Sequence, residues 1–303
     1  MTPVSGDLGQ DSAEQPSGGY VGRFAPTPSG ALHLGSLLTA VASWLDARAR
    51  QGIWLLRIDD LDTPRVDAEA EPAILATLES HGLAWDGPVH RQSDHLEDHD
   101  RAIRQLRERC FACDCTRREL HGLDRYPGTC RDRGLPLDGN ALRVRAEAKA
   151  PAFIDRLQGH VDASNRTVGD FIVRRRDGVA SYPLAVVVDD LAMGVNNVVR
   201  GADLLENTAE QLLLMRMLGI PPPTYAHVPV IVEASGVKLS KHNRATAIDS
   251  RWAPHNLAAV LSLLGLEAPL DQVGTMLARA VGEWNIAHVP RARSLAGFFA
   301  LTR

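Results

Sequence analysis

The first structured unit of the chain opens with Val21-Gly22-Arg23-Phe24-Ala25-Pro26-Thr27-Pro28-Ser29-Gly30-Ala31-Leu32-His33-Leu34-Gly35-Ser36. The pattern predicts a strand at 21–25 and a helix at 34–50, joined by a turn. A helix N-terminus attracts phosphate through its unpaired N–H groups and the positive end of its dipole. Gly30 and Gly35 allow a ligand to come close, and His33 adds a donor where phosphate charge would develop. The stretch therefore predicts a nucleotide-binding α/β fold.

Alternating strands and helices continue along the chain, which favours a doubly wound parallel sheet. The pattern predicts strands at Ile53–Ile58, Phe171–Arg174, Tyr182–Asp189 and His227–Val232, and helices at Asp67–His81, from a cap at Asp203 to Leu218, at Asn256–Leu264 and at Leu270–Val281. Gly52, Gly82 and Gly219 are placed to end helices.

Composition divides the chain into five parts. A polar segment at 1–19 predicts a flexible tail. The alternation stops between Cys110 and Ala150, where Cys, Arg, Gly and Pro are concentrated, and this predicts an insertion. We expect the two halves of the nucleotide-binding domain at 20–109 and 151–250, the insertion at 110–150, and a helical C-terminal region at 251–303.

The overall composition is that of a globular protein. The chain has 303 residues, is 45% hydrophobic and 23% charged, and carries a net charge of −4, so it has no global basic field for nucleic acid. Local basic patches are present, at Arg101, Arg104, Arg107, Arg109, Arg117, Arg118, Arg125, Arg131 and Arg133 and again at Arg174, Arg175 and Arg176. No secretory signal or membrane span is apparent, and no apolar surface stripe stands out, so we expect a cytoplasmic monomer.

A second informative segment is Lys238-Leu239-Ser240-Lys241-His242. Two lysines on a loop can neutralise a leaving pyrophosphate, so the two segments together predict an ATP site that forms an adenylate. They resemble the HIGH and KMSKS signatures of class I aminoacyl-tRNA synthetases, with Leu and His in place of the Met and final Ser. Within that class, the lead-in at 26–33 and the run Leu56-Arg57-Ile58-Asp59-Asp60-Leu61-Asp62 resemble the glutamyl and glutaminyl branch.

The resemblance implies a Rossmann-like fold and a set of ATP-binding residues. These are Pro26, Thr27, Pro28, Ser29, Gly30, His33, Gly35, Ser36, Lys238, Leu239, Ser240 and Lys241. His33 and Lys241 are the expected catalytic residues, acting with Mg²⁺ on the phosphates of ATP.

An acidic amino-acid substrate needs a cation for its side chain and an anion for its ammonium group. Arg23 can pair with a carboxylate through two hydrogen bonds, and Asp59 can bind the ammonium; both end predicted strands. The resemblance adds further glutamate-binding positions at Phe24, Ala25, Pro26, Thr27, Tyr182 and Arg200. The family commonly has glutamate where Asp59 stands, which shifts the ammonium contact by about one methylene.

The four cysteines lie close together in the insertion, which is typical of a structural zinc site. Cys113-x-Cys115 and Tyr126-x-x-x-Cys130 resemble the zinc module of the glutamyl-queuosine tRNA(Asp) synthetases, which implies ligands from Cys113, Cys115, Tyr126 and Cys130. Cys110 stays an alternative to Tyr126, because a thiolate is a softer ligand and forms more easily than a phenolate.

Chain length separates this branch from full glutamyl-tRNA synthetases. Only 62 residues follow Lys241, too few for a separate anticodon-binding domain. The resemblance therefore implies the truncated relatives, which activate L-glutamate with ATP without needing tRNA and attach it to the queuosine base of tRNA(Asp). A small-molecule adenylate-forming ligase or nucleotidyltransferase with no RNA acceptor is the alternative, and a non-catalytic RNA-binding relative is a second.

Overall fold

The computed structural model describes residues 19–146, 148–162, 167–232 and 247–296. The strands are β1 Val21–Phe24, β2 Ile53–Ile58, β3 His90–Arg91, β4 Cys110–Cys113, β5 Ala141–Val144, β6 Ala148–Lys149, β7 Phe153–Asp155, β8 Gly159–Val161, β9 Thr167–Val168, β10 Phe171–Arg174, β11 Asn197–Gly201, β12 Thr224–Val228, β13 Val230–Val232 and β14 Ser294–Ala296. The α-helices are α1 Leu34–Arg48, α2 Ala70–Ser80, α3 Leu96–Leu106, α4 Tyr182–Ala192, α5 Thr208–Leu218, α6 Ala253–Leu263 and α7 Val273–Glu283.

The centre of the molecule is a mainly parallel sheet built from two halves. β1, β2 and β3 pair in parallel in one half, and β11, β12 and β7 do so in the other, with β8 antiparallel at the edge. The halves meet where β11 lies beside β1, and the Asn196 N–H donates to the Val21 carbonyl at 3.0 Å. In a doubly wound sheet, ligands bind at the carboxyl ends of strands where the strand order reverses. This arrangement therefore places a ligand site at the junction of β1 and β11.

Helices cover both faces of the sheet. Trp54 and Leu56 of β2 pack with α1, α6 and α7, whereas Leu55 faces the other way and packs beside Val198 of β11, as expected from side chains that alternate along a strand. A second core joins α3, α4 and α5 to the antiparallel strands β5 and β10. The two predicted C-terminal helices therefore pack against α1. No helix in the described ranges is long and apolar enough to cross a bilayer.

The strand–turn–helix prediction at the start of the chain is confirmed. His33 is the N-cap of α1, with an extended backbone at φ −112° and ψ 171°. Gly82 follows α2 at φ 69° and Gly219 ends α5 at φ 70°. A positive φ at these positions suits glycine, which has no Cβ to clash.

The prediction of a strand at Tyr182–Asp189 is wrong, because these residues begin helix α4. Ser181 occupies the N-cap position and Pro183 lies in the first turn, where its fixed φ suits a helix and its missing N–H costs nothing. Residues 184–190 are all buried. A continuous apolar run in a buried helix has the same sequence pattern as a buried strand, so periodicity could not separate the two.

Three other predictions need correction. The strand at Phe171–Arg174 is present, but β10 pairs antiparallel with β5, which pairs with β4, outside the parallel sheet. The helix predicted from Asp203 starts at Thr208, because residues 202–204 form a 3₁₀ turn. The strand predicted at His227–Val232 is divided at Pro229 into β12 and β13, since proline cannot donate to a ladder.

Candidate active site

A cavity of ≈350 Å³ lies at the carboxyl ends of β1, β2 and β11. All eight residues that the sequence predicts for glutamate binding line it: Arg23, Phe24, Ala25, Pro26, Thr27, Asp59, Tyr182 and Arg200. Its volume falls in the range of about 300–1,000 Å³ that small-molecule sites occupy. The structure thus brings together residues that are up to 177 positions apart in the sequence.

A buried network of charges forms one wall of the cavity. Arg23 donates to Asp190 through Nε at 3.0 Å and Nη2 at 3.4 Å. Arg57 donates to Asp59 and to Asp190, each at 2.6 Å. Although burial opposes the charged forms, the two guanidinium groups hold the pKa of Asp190 below its usual range, and Asp59 and Asp190 raise the pKa of Arg57. Burial raises the pKa of Asp59 although Arg57 and Arg23 oppose that shift. The charged form is therefore favoured at Asp190 and Arg57 and opposed at Asp59.

Arg57 and Asp190 were not predicted as site residues. Arg57 lies two positions before Asp59, and on a strand this spacing places both side chains on one face. Asp190 follows the run that was assigned to a strand, so its convergence with Arg23 could not be read from local pattern. The paired acids Asp189 and Asp190 after an apolar run were the available signal.

The guanidinium group of Arg200 is buried, with 4% of the residue exposed. Its Nε donates to Nε2 of His227 at 3.0 Å and its Nη2 donates to Oγ1 of Thr208 at 2.8 Å, while Nη1 has no partner among the described residues. His227 Nε2 accepts, so Nδ1 carries the proton and donates to Asp155 at 2.6 Å. Burial lowers the pKa of Arg200, and an anionic ligand would supply the acceptor that Nη1 lacks.

His33 lies on the side of the cavity formed by α1. Its Nδ1 accepts from the N–H of Ser36 at 3.2 Å, and its Nε2 is 3.1 Å from the Ser36 hydroxyl. Gly35 keeps this turn tight, since a Cβ there would lie 3.2 Å from the imidazole ring. The N–H of Ile248 donates to the carbonyl of Leu32 at 3.0 Å, which brings a later segment of the chain to the same turn.

The predicted ATP-binding residues divide into three groups. Pro26, Thr27, Ser29, His33, Gly35 and Ser36 line the cavity. Pro28 and Gly30 belong to the turn, and Gly30 adopts φ 131°. The third group, Lys238, Leu239, Ser240 and Lys241, lies outside the described residues. On either side of this gap, Ile231 lines the cavity and Ala247 forms an antiparallel β-bridge with His33.

Three of the four cysteines form a compact group. The Sγ atoms of Cys113, Cys115 and Cys130 all lie within 4.8 Å of one another, and the Cys115–Cys130 separation is 3.4 Å. The hydroxyl of Tyr126 is 3.6 Å from Cys113 Sγ and 3.9 Å from Cys115 Sγ. Burial opposes ionisation of Cys113, but hydrogen bonds from Arg143 and Tyr126 lower the pKa of its thiol to about 7.

Cys110 is separate from this group. It starts β4 opposite Val144 and packs against the second hydrophobic core. Burial raises the pKa of its thiol to about 11, which disfavours the thiolate that a metal requires. Burial and the neighbouring thiols also raise the pKa of Tyr126. The two residues therefore differ in position: the Tyr126 hydroxyl lies near the three thiols and Cys110 does not.

Residues 20–127 and 130–266 match the family model of the catalytic domain of class I tRNA synthetases (E and Q). A curated relative from Pseudomonas fluorescens, named glutamyl-Q tRNA(Asp) synthetase, is 45% identical over 289 residues, which is 92% of this chain and 96% of the relative. The chain belongs to the glutamyl-Q tRNA(Asp) synthetase family. Another member, from Acinetobacter baylyi, is 44% identical and covers 92% of this chain and 97% of its own length. As a member of this family, the protein is a ligase.

Solved structures of glutamate-tRNA ligases have the same fold as this chain. A glutamate tRNA ligase from Elizabethkingia meningosepticum, crystallised with its amino acid, superposes with a TM-score of 0.77 at 23% identity. The match covers 91% of this chain and 66% of the ligase. The glutamate-tRNA synthetase of Elizabethkingia anophelis gives a TM-score of 0.78, also at 23% identity, with 92% and 68% covered. At this identity the likeness establishes the class I synthetase-type α/β fold.

Proposed function

We propose that the protein activates L-glutamate with ATP in the absence of tRNA and transfers it to the queuosine base at the wobble position of tRNA(Asp). The observation that carries the proposal is the convergence of Arg23, Asp59, Tyr182 and Arg200 in one cavity beside His33. The names of relatives that share about 45% of its residues support the same reaction.

The cavity has the charges that glutamate requires. Arg23 and Arg200 offer guanidinium donors to the side-chain carboxylate, and the buried setting strengthens such charge-assisted bonds. Asp59, held in the cavity wall by Arg57, accepts from the ammonium group together with the Tyr182 hydroxyl. Arg23 is already paired with Asp190, but a neutral glutamine side chain would leave the buried Arg200 guanidinium group without an anionic partner, so the proposed site discriminates against it.

In the first step a carboxylate oxygen of glutamate attacks the α-phosphorus of ATP. A new P–O bond forms, the bond to the bridging oxygen of the β-phosphate breaks, and pyrophosphate leaves. His33 and the N-terminus of α1 donate to the phosphates, and we assign Lys241 and Mg²⁺ to the negative charge on the leaving group.

In the second step a hydroxyl of the queuosine cyclopentene ring attacks the carbonyl carbon of the glutamyl adenylate. An ester bond forms, the bond between the carbonyl carbon and the phosphate oxygen breaks, AMP leaves, and the hydroxyl proton is released to solvent. A base recognised in this way must be presented from a single-stranded loop, and the anticodon loop provides that setting.

We also propose one structural zinc ion, held by Cys113, Cys115, Tyr126 and Cys130. Four ligands in a tetrahedron with Zn–S bonds of about 2.3 Å place two sulfurs about 3.8 Å apart and a sulfur and an oxygen about 3.5 Å apart. The Cys115–Cys130 separation of 3.4 Å and the two Tyr126 separations of 3.6 and 3.9 Å are close to these values, and all three sulfurs lie within 4.8 Å of one another. A site with four protein ligands leaves no open position for chemistry, so the ion would order the insertion.

Metal analysis of two serine variants tests the zinc assignment. Cys130→Ser should lose the single equivalent of zinc, because one of its three thiolates is gone, whereas Cys110→Ser should keep it. Loss of zinc from Cys110→Ser with retention in Cys130→Ser would contradict the assignment.

The function is tested by two measurements on the purified protein. Glutamate-dependent exchange of labelled pyrophosphate into ATP should proceed without tRNA, and glutamine and aspartate should not replace glutamate. After transfer, nuclease digestion and mass spectrometry should locate the glutamyl group on the anticodon fragment. Glutamate on the 3′-terminal adenosine would instead indicate ordinary aminoacylation, and exchange with no labelled RNA would favour a small-molecule acceptor.

A further inference from the structure

A second cavity, of ≈510 Å³, adjoins the first. Its walls come from residues 120–126 of the predicted insertion, from β10, and from the starts of α4 and α5. Tyr182 lines both cavities and is 40% exposed. A molecule in the second cavity would therefore contact the same tyrosine as the glutamate proposed for the first.

The wall of the second cavity has acidic character. Asp124, Glu206 and Glu210 all line it. Glu206 Oε1 is 3.9 Å from Nη1 of Arg293. Two other charged groups on the wall are also engaged by their neighbours. Asp170 accepts two hydrogen bonds from Arg131, at 2.8 and 2.9 Å. Arg143 lies over the Tyr126 ring at 3.9 Å and donates to the Asp170 carbonyl at 3.1 Å. Four carboxylates thus line the cavity against two arginines, Arg125 and Arg143, and this excess of negative charge suits a ligand that carries a positive charge.

An unsatisfied hydroxyl group also lies in this wall. Ser181 precedes Tyr182 at the N-cap of α4, where a serine side chain usually accepts from a backbone N–H of the first turn. It makes no such bond, and its Oγ is buried without a partner in the described part of the chain, with 7% of the residue exposed. Buried polar atoms are rarely left unsatisfied, so a polar ligand at this position would complete the site.

We infer that the second cavity holds the acceptor nucleoside, with its cyclopentenediol directed past Tyr182 towards the glutamyl adenylate. The inference rests on the proposed function. Queuosine carries its diol on a secondary amine that is cationic near neutral pH, and this ammonium group faces Glu206, just before α5, and Glu210, in the first turn of α5. Arg125, an exposed residue of the same wall, is placed to meet a backbone phosphate.

The test uses the double variant Glu206→Gln, Glu210→Gln, which keeps side-chain size and removes both charges. Transfer of glutamate to queuosine-containing tRNA(Asp) should fall about tenfold or more in kcat/KM, because hydrogen bonds to a charged group are lost. Pyrophosphate exchange, which uses the first cavity alone, should run at the wild-type rate and shows that the variant is folded. Glu267→Gln, at an exposed position that lines neither cavity, is the matched control.

Competition binding separates recognition of the modified base from general tRNA affinity. The wild-type protein should bind queuosine-containing tRNA(Asp) more tightly than the same tRNA without queuosine, and the double variant should lose that preference while binding the unmodified tRNA as before. Unchanged transfer and an unchanged preference would overturn the assignment of the second cavity. If the wild-type protein itself labelled neither tRNA, the proposed function would fail instead.

Discussion

Two buried clusters of charge, one around Asp190 and one around Asp46, both consist of aspartate and arginine side chains. They differ in how completely their polar atoms are hydrogen-bonded. Asp46 is fully buried and accepts from Tyr20 at 2.7 Å, Arg50 at 2.5 Å, Arg156 at 2.6 and 2.8 Å and Trp284 at 3.0 Å. Both of its oxygens are therefore saturated by protein donors.

The cluster around Asp190 is incomplete by comparison. Asp190 accepts from Arg23 and Arg57, yet Nη2 of Arg57 and Nη1 of the neighbouring Arg200 are buried without partners among the described residues. Leaving buried donors unsatisfied costs about 1–3 kcal/mol each. The comparison indicates that the Asp46 cluster holds the fold together, whereas the Asp190 cluster is arranged for an anionic substrate.

The largest effect on activity should come from removing a guanidinium group of the incomplete cluster. Arg23→Ala should lower kcat/KM for glutamate in pyrophosphate exchange by about 100-fold or more, because truncating a buried charge pair costs about 2–5 kcal/mol. Arg279→Ala, on the surface of α7, is the control. A change of less than about threefold, or about 0.7 kcal/mol, would show that Arg23 does not contact substrate.

The complete cluster should respond in stability and not in substrate affinity. Asp46→Asn should lower the free energy of unfolding by about 3–5 kcal/mol, since it leaves buried arginine charge uncompensated. Denaturant titration measures this, with the exposed Asp271→Asn as control, while KM for glutamate should stay unchanged. A stable variant with a raised KM would reverse the roles assigned to the two clusters.

A smaller effect is expected from pH. Burial opposes ionisation of Asp46, but Arg156 and Arg50 lower its pKa from 3.8 to about 2. A depressed pKa stabilises the fold above pH 3.8, and the contribution, about 2 kcal/mol, is lost as pH falls from about 4 to about 2. The free energy of unfolding, measured as a function of pH, should therefore change less for Asp46→Asn than for the wild type between about pH 4 and about pH 2. Parallel curves for the two proteins would contradict the lowered pKa of Asp46.

The smallest change probes Asp59 in the buried wall of the first cavity. Asp59→Glu adds a methylene beside Arg57, whose Nε is 2.6 Å from the Asp59 carboxylate. Crowding of this kind costs about 1 kcal/mol, so KM for glutamate should rise about fivefold in pyrophosphate exchange. Asp59→Asn, which removes the charge, should raise it further; equal effects of both variants would argue against a contact with the ammonium group.

Sequence reasoning was most successful where one local segment determines the structure. The strand, turn and helix at 21–48 follow from an apolar run, glycines and a capping histidine that are adjacent in the chain. The grouping of three cysteines also follows from short spacing. Arg23 and Asp59 were placed correctly at strand ends because parallel strands present their carboxyl ends at one edge of a sheet.

The errors and omissions have a common physical cause. The apolar run at 184–188 is buried on all sides by tertiary packing, and burial removes the periodicity that separates a helix from a strand. The role of Asp190 depends on that helix, since only α4 brings it to Arg23 and Arg57. The second cavity is likewise formed by segments that are far apart in the sequence, so no local sequence pattern could predict it.

We propose that the first cavity forms a glutamyl adenylate and that its glutamyl group is transferred to a modified base. Transfer of labelled glutamate should be measured on two samples of tRNA(Asp) that differ only in queuosine. The account predicts label on the queuosine-containing sample alone, with pyrophosphate exchange independent of both. Equal labelling of the two samples, or label on neither while exchange proceeds, would contradict it.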